Sequence, residues 1–340
     1  MTPAADAGAE AGAYARSGVS QDAAGDAVRA LVRSLERIDP GRPTRVVPLA
    51  GHYASVLRLD DRTGLALSTD TVGTKMVVAE RLGRYDTIGI DCIAMNVNDV
   101  ICVGAEPLAM LVFILTDRAD PEICAQIGVG LARGAELAGI EIPGGEIAQV
   151  GDIVTGHELG GSCVGLVPLE AIVTGADVRP GDPVIGLPSS GLHSNGYTLA
   201  RRALADVPLD DERLGRPLGD VLLEPTLIYV RAILELMRSE VDVRGLAHIT
   251  GDGFDNLLRL DADVGYEIDD PLPVPPIFDL IQKLGDVSDR EMHEVFNMGC
   301  GFCCVVAAKD EQRALEILRS HYPNAKRVGR ATDRAGEVAT

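Results

Sequence analysis

Apolar and polar positions along the chain fall into two successive series of strands and helices. Between about Gly64 and Val167, strand-like runs (LALSTD, LAMLVFIL, SCVGLVP) alternate with amphipathic helical patterns, including one over Pro121–Ala138. A polar, Gly/Pro-rich passage, GADVRPGD at 175–182, reads as a linker or hinge turn. The pattern then restarts with the strand PVIGLPSS, the turn GLHSNG and the helix YTLARRALA. A long helix over Pro225–Ser239 and strand-like stretches near Ala247 and Cys303 follow. The chain shows no short-period repeat. Two α/β halves are predicted, an α/β (α+β) protein.

One stretch departs from simple amphipathicity. IGIDCIAMNVNDVICVGAEPL, residues 88–108, is apolar enough to be buried, yet carries Asp91 and Asp99 with no Lys or Arg between them. On a helix, Ile93, Val97, Val100, Ile101 and Gly104 share one side, and Asp91, Met95, Asn98, Asp99 and Cys102 the other. Buried carboxylates require something positive beside them. A carboxylate-and-amide face without a basic partner predicts a hard divalent cation, magnesium carrying nucleotide phosphates.

Composition narrows the partners. The 340 residues suffice for two cores, built mainly from aliphatic side chains because the chain has no Trp and few aromatics. With 31 basic and 51 acidic residues the formal charge is -20, which argues against nucleic acid or an anionic membrane as partner. Such a surface handles phosphates through metal ions and backbone amides. The opening MTPAADAGAEAGAYARSGVS has neither a basic n-region nor an apolar h-region and reads as a disordered leader, not a signal peptide. No apolar run reaches the length of a membrane span. Seven cysteines fit reduced thiols in the cytoplasm, and Cys300, Cys303 and Cys304 read as packed thiols of a core strand.

Four further segments carry chemistry. In ALSTDTVGTK a strand ends at Ser68, Thr69 and Asp70, and the following turn offers hydroxyls and the Lys75 ammonium, though not in Walker A order. Asp70 is a candidate second metal ligand and Lys75 a candidate phosphate contact. In IPGGEIAQVGD, Gly144 and Gly145 allow close backbone approach, and Glu146 and Asp152 add acid. SSGLHSNGY and AHITGDGF each set a histidine, His193 or His248, in a Gly-containing strand-to-helix loop. These loops predict an acceptor site with Ser194, Asn195, Thr250 and Gly251, one histidine moving a proton or holding a substrate phosphate. His52, His157, His293 and His321 read as surface or packing residues. Together the acidic segments and one lysine predict magnesium-assisted phosphoryl transfer.

DTVGTK, YDTIGIDCIAMNVNDVICVGAEPL, PGGE, SSGLHSNGY, EPTLIYV, AHITGDGF and FNMGCG stand in the order of the phosphoribosylformylglycinamidine cyclo-ligase (AIR synthetase) family, which the chain resembles from about Tyr14 to Arg330. The resemblance implies a leader over 1–14, an ATP-binding and dimerisation domain over 15–174 and a second α/β domain over 175–340. It further implies a cytoplasmic homodimer whose N-terminal sheets join into a barrel, and ATP-driven closure of formylglycinamidine ribonucleotide to aminoimidazole ribonucleotide. Carried over motif by motif, it implies magnesium on Asp70, Asp91, Asp99 and Glu146. It places ATP against these acids with Thr74, Lys75, Asn98 and Gly145. Substrate falls to Ser194, Asn195, Thr250, Gly251 and Asn297, with catalysis by His193, His248 and Lys75. The family usually has glycine where Thr71 and Asp252 stand. These departures keep open an alternative, a paralogue transferring phosphoryl to another small phosphorylated metabolite.

Overall fold

A computed structural model describes residues 21–35, 37–49 and 51–340. The leader expected over 1–14 lies outside these residues. The first half forms a six-stranded sheet from β1 (Val46–Val47), β2 (Ser55–Arg58), β3 (Thr63–Thr71), β4 (Glu106–Thr116), β5 (Glu141–Gln149) and β6 (His157–Pro168), in the order β1-β2-β3-β6-β4-β5. Only β4 and β5 pair in parallel there. The second half builds another six-stranded sheet, β12-β9-β11-β7-β10-β8, from β7 (Pro183–Pro188), β8 (Val243–His248), β9 (Gly265–Glu267), β10 (Cys300–Val306), β11 (Lys326–Thr332) and β12 (Val338–Ala339). The mixed helix-and-sheet class read from the sequence is the one observed.

The helix Pro121–Ala138 falls where its pattern placed it, because its ends are locally encoded. Asp120 accepts the Glu122 and Ile123 amides at 2.9 and 3.3 Å, Pro121 occupies the first turn, and Gly139 closes the helix at φ 72°. Its Gly130 meets Gly89 of the helix Ile88–Cys102 so closely that a Cβ on Gly89 would lie 2.1 Å from the Leu131 nitrogen. Ile88–Cys102 is the centre of the molecule: all its residues except Ile90 and Asp99 are buried. It packs on β3, β4 and β6 of the first sheet and on β8 of the second. Each fully buried Ile or Val contributes about 1.5–3 kcal/mol. The face carrying Asp91 and Asn98 is therefore an interface between the halves and not an open surface.

Two sequence expectations change. The helix predicted over Pro225–Ser239 begins only at Val230 and ends at Met237, because residues 224–229 are held in non-helical form by side chains of the central helix. The GGE segment, for which close backbone approach was expected, is part of β5, paired with β4 from Leu111 to Thr116. As expected, the CGFCC run is a strand, wholly buried, with Cys300 and Cys303 sulfurs 3.6 Å apart. Among the described residues no helix is long and apolar enough to cross a membrane.

Candidate functional site

The positive species that Asp91 requires is Lys75. A short 3-10 turn, Gly73–Lys75, follows β3 and carries Lys75 between the two sheets, where its side chain is 0% exposed. The ammonium lies 2.9 and 2.8 Å from the two Asp91 oxygens and donates to the carbonyls of His193 (3.1 Å) and Glu224 (2.7 Å). Asp91 also accepts the Thr226 amide at 2.8 Å and the Thr226 hydroxyl at 2.6 Å. Burial pushes the Asp91 carboxyl up and the Lys75 ammonium down, and their mutual attraction opposes both shifts. In this structure the expected metal ligand Asp91 and the expected phosphate contact Lys75 are each other's partners. Both charges are spent on tying the two halves together.

A second carboxylate group sits at the edge of the same junction. Asp99 is partly open, its side chain 17% exposed, and its Oδ1 lies 3.0 Å from Nδ1 of His248 at the end of β8. Asp70, at the end of β3, is half-buried and accepts the Thr71 amide at 2.6 Å. Its carboxyl is pushed up to about 6, first by burial and then, against that hydrogen bond, by the charges of Asp99 and Glu158. Glu158 on β6 in turn accepts the Gly73 amide at 2.9 Å. Beside Asp70, the Asn96 amide donates to the Asp70 and Cys92 carbonyls, while its buried Oδ1 has no partner. Asp70, crowded by two other carboxylates and set beside an unpartnered amide oxygen, offers the kind of oxygen donors a hard cation takes. Among the described residues, no three His, Cys, Asp or Glu side chains converge closely enough to hold an ion without further ligands.

The remaining sequence-predicted residues divide. Thr74 is exposed and meets the Thr198 hydroxyl at 3.2 Å, and Ser194 donates to the Val72 carbonyl at 2.8 Å, so the GTK and HSNG turns face each other. Asn195 reaches Met95 of the central helix and lies against Gly251, next to Thr250. Asn98 lies 3.5 Å from Nε2 of His248. It is buried, donates to the Leu227 carbonyl at 2.9 Å and accepts the Tyr229 amide at 3.0 Å, which makes it a backbone clip. Asn297 is another clip, receiving Ser189 and Gly299 and donating to Gly191. Glu146 and Gly145 sit far away on β5. Asp70, Gly161, Val112 and Gly145 form one row across four strands, about 14 Å from end to end.

Both predicted histidines are sealed. His193 is 2% exposed, adopts φ 62° and accepts the Ser190 amide through Nε2 at 3.2 Å; burial holds its imidazole neutral. His248 is 0% exposed and orients Asp99. The His193 ring packs against Tyr229 and Gly301. Asp252 adopts φ 75°, a conformation that glycine takes freely and that Asp tolerates better than most side chains. Its charge is felt by Asp255, together with that of Glu294.

Sequence reasoning missed Glu158, Asn96, Thr226, His52 and Arg259. The pairing of β3 with β6 brings Glu158 to the site across 85 residues, and no local pattern announces it. His52 and Tyr53 line the same region from the loop before β2, with the Arg259 guanidinium 5.0 Å above the Tyr53 ring.

Two family models match the chain: "AIR synthase related protein, N-terminal domain" over 51–167 and "AIR synthase related protein, C-terminal domain" over 179–340. The chain is 49% identical to the phosphoribosylformylglycinamidine cyclo-ligase of Methanothermobacter thermautotrophicus over 96% of both chains. It is 45% identical to that of Thermococcus gammatolerans, over 95% of this chain and 96% of that one. Among solved structures, AaThiL complexed with AMPPCP and TMP superposes with TM-score 0.63 at 18% identity, covering 92% of this chain and 91% of the other. Hydrogenase maturation protein HypE in complex with ATP gives 0.60 at 19% identity, covering 83% of each chain. At such identities these structures establish the fold alone.

Proposed function

Because this chain belongs to the AIR synthase-related family, matched in both its halves, we infer that it is an ATP-dependent ligase of purine biosynthesis. It closes formylglycinamidine ribonucleotide to aminoimidazole ribonucleotide. The observation that carries this reading is identity of 42–49% to cyclo-ligases over nearly the whole chain. The structural neighbours named as bound to ATP or AMPPCP support ATP as the phosphoryl donor. In the reaction the formyl oxygen takes the γ-phosphoryl group and ADP leaves. The amidine-side nitrogen then attacks the activated carbon, the C–O bond to phosphate breaks, and loss of a proton leaves the imidazole. Positioning and charge neutralisation do most of the work.

Asp70 and Asp99 are the residues that would hold magnesium, the nucleotide phosphates and water completing its shell; bound there, the ion neutralises phosphate charge. His248 fixes the Asp99 carboxylate, and the Thr74, Ser194 and Asn195 turn borders the space beside it. Glu146, about 14 Å along the sheet from Asp70, lies outside this acidic group within one subunit. A homodimer is supported by the edge position of β5 and by two exposed apolar side chains, Ile147 of β5 at 50% and Leu111 of the adjoining β4 at 56%. A cytoplasmic location accords with reduced cysteines. The alternative acceptor gains nothing from the site, since Asp252 is explained by backbone conformation. Complementation of a purine auxotroph lacking the cyclo-ligase tests the reading: growth with wild type and none with Asp99→Ala is expected, and no growth with well-expressed wild type contradicts it.

A further inference from the structure

We propose that Arg259 anchors the phosphate of the ribonucleotide substrate at a basic end of the interdomain cleft. This inference rests on the ligase reading and adds the group that recognises its substrate's charge. A phosphate dianion entering beside Asp70, Asp99 and Glu158 meets only repulsion unless a cation receives it. Lys75 cannot, because it is wholly buried and its ammonium is committed to Asp91 and two backbone carbonyls. The His193 imidazole is sealed and held neutral.

Arg259 differs on each count. It is exposed and has no ion-pair or hydrogen-bond partner for its guanidinium among the described residues. It is also held in place. Its guanidinium lies 5.0 Å from the centroid of the Tyr53 ring, and the Tyr53 hydroxyl donates at 2.7 Å to the Asn256 carbonyl of the same turn that carries Arg259. A stacked guanidinium keeps its N–H edge free for two parallel bonds to a phosphate. Next to Tyr53, His52 turns a buried Nε2 with no partner into this region. Arg259, Asp99 and Asp261 all lie near enough for their charges to act on the His52 ring. The cleft thus runs from acidic groups suited to a metal nucleotide to one fixed, unpaired cation.

The test compares turnover of formylglycinamidine ribonucleotide with that of its dephosphorylated riboside, using full-length wild type, Arg259→Gln and Arg259→Lys. For wild type the ribonucleotide is strongly preferred. With Arg259→Gln the preference collapses by roughly ten- to a hundredfold, the scale of a charge-assisted hydrogen-bonded contact, and the change lies in KM. With Arg259→Lys, which keeps the charge but loses the fork, the preference is intermediate. An active wild type whose preference is unchanged by Arg259→Gln overturns the anchor alone. Equal losses on both substrates overturn it as well, since they mark a packing role. Wild type inactive on the ribonucleotide overturns the ligase reading and the anchor together.

Discussion

Single residues decide what the junction between the two halves is for. Lys75 and Asp91 are buried charges that are tolerable only as a pair, each also bonded to backbone or hydroxyl groups of the other half. Removing one partner leaves an uncompensated charge, so Lys75→Met should cost about 3–5 kcal/mol in urea unfolding, and Lys75→Met with Asp91→Leu should recover much of it. A loss for Lys75→Met below about 1 kcal/mol, the range of exposed pairs, would show the ammonium to be solvated. Asp70 behaves oppositely. Its carboxyl titrates near 6, above its unfolded value of 3.8, so the native state binds that proton more tightly than the unfolded chain. The resulting stability is complete below the unfolded value and is lost as pH rises through about 6. Asp70→Asn should therefore raise the melting temperature of the ligand-free protein at about pH 7.5, with a smaller gain near pH 5. The same variant should lose magnesium-dependent ATP binding in calorimetry. A melting temperature lowered at about pH 7.5 would contradict the crowding of carboxylates described here.

At the level of elements, the central helix Ile88–Cys102 is positioned by close approach on one side and by hydrogen bonds on the other. Gly89 and Gly130 bring it against Pro121–Ala138 with no room for a methyl group, the nearest backbone atom lying 2.1 Å from an added Cβ. Gly89→Ala should thus force the helices apart and destabilise the protein, although alanine is the better helix former by about 1 kcal/mol. A stabilising Gly89→Ala would show that the two helices do not cross at this distance. On the opposite side Asn98 holds residues 227–229 in place through their backbone. Asn98→Ala strands a buried amide and a buried carbonyl, so faster hydrogen exchange across 224–230 is expected, with a stability loss of about 1–3 kcal/mol. Unchanged exchange there would argue that the segment is held by packing alone.

Across the whole molecule, the parts legible in the sequence were those whose causes are local. The helix Pro121–Ala138 carries its own Asp-Pro start and Gly stop, and the buried CGFCC strand follows from apolar content. The non-helical course of residues 224–229 was not legible, because Asp91 and Asn98 impose it from more than a hundred positions away. The cation that Asp91 needs was hidden for another reason: Lys75 stands sixteen residues earlier, outside the helix whose face called for it. Glu158 and Arg259 likewise enter the cleft only through pairing and packing that the chain order does not reveal. Motif order, by contrast, named the family correctly. The central claim is that these elements converge on ATP-driven ring closure. Its most direct measurement is aminoimidazole formation, read by diazo coupling, from purified full-length protein with formylglycinamidine ribonucleotide, ATP and magnesium. The account predicts product in step with ADP release, dependent on the ribonucleotide and abolished by Asp99→Ala. ADP released with another phosphorylated metabolite, and no aminoimidazole from formylglycinamidine ribonucleotide, would contradict it.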